Sequence, residues 1–180
     1  MLYLVNPAPD QQIADDVSGT LYSLGVRQMF VAPSMRVVAG IHPLAARVRA
    51  DDYIPYIRIV HDLATTGVCP DVTDDRLAPY QLTYLNRDGA AAPARETRDQ
   101  YRQRVFAWFT NQFVPHIVES PQPSAIVASH DVLMIIAEHL TCGQVNRAIL
   151  STIPDQMIIP GAVLEYQIDG LAFQATRFVR

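Results

Sequence analysis

Ser124 to Ile136 reads S-A-I-V-A-S-H-D-V-L-M-I-I. A short apolar run, Ala125 to Ala128, ends in Ser129-His130-Asp131, and an apolar, helix-compatible segment follows at once. This is the pattern of a buried parallel strand that delivers polar side chains at its carboxyl end, at the mouth of an α/β sheet. Ser129 and Asp131 are suited to accepting the orphan N–H groups of the following helix. His130 is left over by that explanation, which makes it the first candidate for a site.

The rest of the chain fits a sheet of this kind. Leu2 to Val5 is a short apolar strand stopped by Asn6-Pro7-Ala8-Pro9. In Gln11 to Leu24, Ile13, Val17, Leu21 and Leu24 fall on one helix face, and Gly25 suits the C-terminal cap. Met29 to Ala32 is a second buried strand; Pro33-Ser34 leads into a helix from about Met35 to Val48, which Pro43 should kink or split. Tyr56 to Val60 reads as a third strand, with His61-Asp62 at its exit. Residues 62–95 lack periodicity and read as a long excursion, partly helical or hairpin-like, of the kind that often serves as a lid. Glu96 to Val118 carries a broad apolar stripe with Trp108, Phe109 and Phe113, and Pro115 should bend its last turn. A helix at Val132 to Leu140, a helical stretch at Gln144 to Leu150, and a hairpin of Gly161 to Gln167 with Ala172 to Val179 complete the chain. The order predicts one α/β domain over residues 1–180, a three-layer α/β/α sandwich. Its sheet should be mostly parallel, with an antiparallel C-terminal edge hairpin.

Composition removes several function classes. The formal net charge of −4 argues against a dedicated nucleic-acid binder, and no apolar run is long enough to span a bilayer. All 14 basic residues are arginine, so Schiff-base chemistry and a Walker lysine are excluded. Cys69 and Cys142 stand apart, outside any C-x-x-C pattern, and read as free thiols; with no signal-peptide pattern, a cytoplasmic location is expected. No H-x-H, H-E-x-x-H or C-x-x-C spacing supports a metal site at His61, Asp62 and His130, and neither metal nor cofactor is expected. Ser129-His130-Asp131 is not a catalytic triad, because consecutive residues cannot form the required relay.

The C-terminal half resembles the histidine phosphatase superfamily, the phosphoglycerate-mutase-like fold. In that family a helix opening near G-E-S leads to a strand ending V-S-H-G, then a helix, an I-P-N-like segment and a terminal hairpin. The matching residues here are Pro93-Ala94-Arg95-Glu96-Thr97, Val127-Ala128-Ser129-His130 and Ile159-Pro160-Gly161. Ala32-Pro33-Ser34-Met35-Arg36 resembles the family's S-P-x-x-R element. The resemblance implies a phosphate-binding crevice served by Arg36 and His130.

The departures carry as much weight. Where the family has the nucleophilic histidine of R-H-G, this chain has Asn6-Pro7-Ala8. Proline has no lone pair to attack phosphorus, and Asn6 donates hydrogen bonds without supplying charge. The family's proton donor would fall near Leu63-Ala64-Thr65, with Asp62 the nearest carboxylate. The expectation is a catalytically degraded member, a pseudoenzyme acting as a binding or interaction module. It would hold a small phosphorylated or other anionic ligand through Arg36, His130 and Asn6. The alternative is an active phosphatase or phosphotransferase with His130 or His61 in a new role and Asp62 beside them. A third reading has the crevice closed and the protein acting through its surface, as a homo-oligomer or partner subunit.

Overall fold

A computed structural model describes residues 1–7, 11–64, 80, 82–85, 96–142, 159–169 and 172–179. The predicted helix at Gln144 to Leu150 and most of the excursion after Asp62 lie outside these residues. The fold is α/β, built on a mixed sheet. Its strands are β1 (Leu2–Val5), β2 (Gln28–Val31), β3 (Tyr56–Val60), β4 (Leu82–Leu85), β5 (Ser124–Val127), β6 (Val163–Asp169) and β7 (Ala172–Val179). They lie in the order β4-β3-β2-β5-β1-β6-β7. The pairs from β4 to β1 are parallel, and β6 and β7 join antiparallel at the end. The described part of the excursion opens in a 3₁₀ turn, His61–Leu63, and includes a parallel edge strand, β4 beside β3, rather than the arm of a hairpin.

Strands β1, β2 and β5 are buried at every position, as their uninterrupted apolar sequences require. The chain leaves β1 for β2 by passing β5, and leaves β5 for β6 by passing β1 in the opposite direction. In α/β sheets such a reversal is where ligand crevices are commonly found, here outside the carboxyl ends of β1 and β5.

Five α-helices are described: α1 (Gln11–Ser23), α2 (Met35–Ala50), α3 (Arg98–Trp108), α4 (Val114–Glu119) and α5 (His130–Cys142). α1 packs on α2, and α3 on α5. The buried face of α1 is Ala14, Ser18 and Leu21, while Ile13 is exposed, so the helix is rotated from its most hydrophobic face. The face turned inward carries small residues, and Gly19 lies beside the Arg47 guanidinium of α2. Gly25 ends the α1 turn at φ 77°, with Val26 N donating to Leu21 O at 3.1 Å.

Pro43 lies inside α2 without splitting it. Pro115 acts differently from a simple bend. The turn before it, Phe109–Phe113, is π-helical. Widening the turn relieves the clash of a proline ring with the carbonyl four residues back. The widened turn also presses Trp108 and Phe113 onto Phe30 of β2, with ring centroids 5.9 and 4.9 Å away.

Candidate functional site at the carboxyl edge of the sheet

Parallel register sets the site. Val5 pairs with Val127, Val127 with Val31, and Val31 with Ile59, so four neighbouring strands end almost level. Asn6, the Ser129-His130 pair, the Pro33 to Arg36 turn and His61-Asp62 therefore leave the sheet side by side, with β5 between β1 and β2. All the residues singled out for ligand binding or catalysis sit at these exits.

Asn6 is 6% exposed, and its backbone is clamped to the turn before β6. Its N–H donates to Ala162 O at 3.2 Å, and its carbonyl accepts from Gly161 N at 2.8 Å. Gly161 can make that approach at φ 85° because it has no Cβ. Pro7 is buried and faces α2: a Cβ placed on Gly40 would lie 2.9 Å from the Pro7 Cβ. The neighbouring hollow, about 20 Å³ between Val5, Pro7, Ser18, Gly40 and Val127, has room for about one water. The end of β1 is thus filled by apolar packing.

The two helices that begin at the next exits differ from α3 in how they start. Thr97 caps α3 with a reciprocal box: its Oγ1 accepts from Gln100 N at 3.3 Å, and the Gln100 side chain accepts from Thr97 N at 2.9 Å. Ser34 precedes α2 in extended conformation with no side-chain cap. Ser129 precedes α5, and its carbonyl accepts from Leu133 N at 3.1 Å. Its Oγ is buried and makes no hydrogen bond among the described residues, so the capping expected of Ser129 is not made. The first-turn amides of α2 and α5 therefore have no serine oxygen over them, and the amino end of a helix is the electropositive position that suits an anion. Arg36 is exposed in the first turn of α2; His130 is the partly exposed first residue of α5, followed by exposed Asp131.

After β3 the chain folds into a 3₁₀ turn, His61–Leu63, instead of continuing extended. His61 is 6% exposed and Asp62 partly so. Arg104 of α3 holds this turn, donating to the carbonyls of Asp62 and Ala64, the latter at 3.1 Å. Its other side forms a two-point ion pair with Glu96, at 2.8 and 2.6 Å. Glu96 is therefore engaged with Arg104. This pairing escaped sequence reading because Glu96 precedes the helix, where helical spacing rules do not apply.

Tyr101, one turn before Arg104, is a second residue that sequence reading passed over. Its hydroxyl is buried and without a hydrogen bond among the described residues. Burial, with Asp131 adding to it, pushes the phenol up to about 12, so it remains a neutral donor. Among the described residues no group of three His, Cys, Asp or Glu side chains is assembled as a metal cage, and no helix is long and apolar enough to cross a membrane. Compared with protein-family models and with curated proteins, the chain matches none.

Proposed function

We propose that this protein is a histidine-phosphatase-like binding module, on the phosphoglycerate-mutase-like α/β/α plan, that has given up the family's covalent chemistry. It holds a phosphorylated or similarly anionic small ligand between Arg36 and His130, with Asn6 beside them. The observation that carries the reading is Pro7. At the position where the resemblance calls for a nucleophilic histidine, a proline is buried against Gly40.

Anion binding asks less of a site than phosphoryl transfer does, since it needs donors and positive potential but no nucleophile. Arg36, the amides opening α2 and α5, the buried Ser129 hydroxyl and the neutral Tyr101 phenol supply donors around the exits of β2 and β5.

Two measurements test the proposal. Turnover of an aryl phosphate at high enzyme concentration is expected to stay at background for wild type and His130→Ala alike. Inorganic phosphate is expected to shift the His130 ring resonances, and Arg36→Ala to remove that response. Turnover that disappears in His130→Ala would overturn the binding-module reading in favour of a working phosphatase.

A further inference from the structure

We infer that Arg58 and His116 form a second oxyanion site, at the amino edge of the sheet. It takes the carboxylate or phosphate of a ligand, and its occupancy is coupled to protonation of the His116 ring. This edge lies opposite the crevice described above, and the inference does not depend on that crevice having a ligand.

A chain of hydrogen bonds sets the protonation of His116. Ser124 Oγ donates to the Gln122 carbonyl at 2.9 Å, so its lone pair receives Gln28 Nε2 at 3.2 Å. That turns Gln28 Oε1 toward His116 Nε2, 3.1 Å away, and an amide oxygen only accepts. His116 Nε2 therefore carries the hydrogen, and Nδ1 keeps its in-plane lone pair. Arg58 Nη1 lies 3.3 Å from Nδ1 and 3.1 Å from Nε2, so it sits over the face of the ring rather than in line with that lone pair.

Arg58 is partly buried, with its guanidinium 5.3 Å from the Phe30 ring centroid. No carboxylate among the described residues lies within ion-pair distance of it. A partly buried guanidinium lying over a neutral imidazole is an undercompensated charge. The groups around His116 do not change this. They are Arg58 and Tyr56 from β3, Gln28 and Phe30 from β2, and Glu119 from its own helix. Glu119 is exposed and makes no ion pair with Arg58 or His116 among the described residues. Burial, then Arg58, hold the imidazole below its usual range, and burial likewise lowers Arg58.

An arriving oxyanion would reverse these preferences. With a proton on Nδ1, Arg58 and His116 become two charged donors close enough to converge on a single carboxylate or phosphate. The exposed Tyr56 ring stands two residues before Arg58 on the same strand.

The test is a histidine NMR titration of the wild-type protein from about pH 8 to pH 5 (the range spanning the ordinary histidine transition), with sulfate or with chloride of equal ionic strength. Sulfate is the probe because it does not titrate in this range. Sulfate is expected to tighten proton binding at His116 about tenfold, the scale set by one nearby charge. Arg58→Gln should abolish the response and Arg36→Ala should leave it intact. Repeating the titration with formate, which is also ionised throughout this range, assigns the group: a response to formate alone means a carboxylate ligand, and one to sulfate alone a phosphoryl group. An identical His116 titration in chloride, sulfate and formate overturns the inference, as does a response that survives Arg58→Gln.

Discussion

The contact between Pro7 and Gly40 is rigid on both sides, a pyrrolidine ring against a helix backbone. Gly40→Ala would ordinarily stabilise an exposed helix by about 1 kcal/mol. Here the added methyl meets a ring carbon at 2.9 Å, and overpacking of this kind costs roughly 1–3 kcal/mol. We expect a net loss of stability in urea melts, relieved when Pro7→Gly is added. Independent, additive effects of the two changes would show that the contact is not the cause. Ion pairs are separated on the same scale by burial rather than distance. Arg102–Glu138 and Arg104–Glu96 are both 2.6 Å long, but the first pair is 46% and 39% exposed and the second 13% and 9%. Glu138→Gln should therefore cost about 0.5 kcal/mol or less. Glu96→Gln, which leaves Arg104 partly buried without its counter-charge, should cost about 1–3 kcal/mol. Comparable losses in the two variants would refute the distinction.

At the scale of elements, each helix start has its own consequence. The Thr97 box ties down two of the four orphan amides of α3, and Thr97→Ala should lower stability by about 1 kcal/mol. Ser129→Ala should cost almost nothing, since its Oγ makes no bond among the described residues and so does not act as a cap. Denaturant midpoints of the two variants decide this: a loss at Ser129 equal to that at Thr97 would mean that the hydroxyl does cap α5. The π turn before Pro115 is also an element-scale effect. One imino acid sets the width of the turn, and the turn then sets which aromatic rings reach Phe30.

For the whole molecule, acid is the informative perturbation. His116 is held below its ordinary range by burial and Arg58, and His139, packed 4.2 Å from the Phe106 ring centroid, by burial. A histidine with a lowered folded-state pKa binds more protons when unfolded. Its contribution is complete above the unfolded value of about 6.5 and is lost as pH falls from there toward the folded value. Chemical-denaturation midpoints should therefore fall between pH 7 and pH 5, and less steeply in His116→Gln. A flat profile over that interval would contradict the neutral, part-buried state of both rings.

Much of this architecture was legible in local sequence. Apolar tetrapeptides stopped by prolines or polar turns marked the buried strands; Gly25 marked a helix end, and Ser129-His130 a strand exit. Each is a matter of neighbours along the chain, where backbone sterics and burial act at short range. What local sequence left open depends on residues far apart. That β5 lies between β1 and β2, bringing His130 between Asn6 and the turn that carries Arg36, follows from strand order, and strand order follows from how the whole core packs. The same holds for the rotation of α1 onto its small residues, the seating of Pro7 on Gly40, the grip of Arg104 on Glu96 and the β3 exit, and the meeting of Arg58 with His116 across 58 positions. Most of the residues that hydrophobic pattern marks as buried are buried, Ile13 being an exception. Only close packing in three dimensions decides which of them meet.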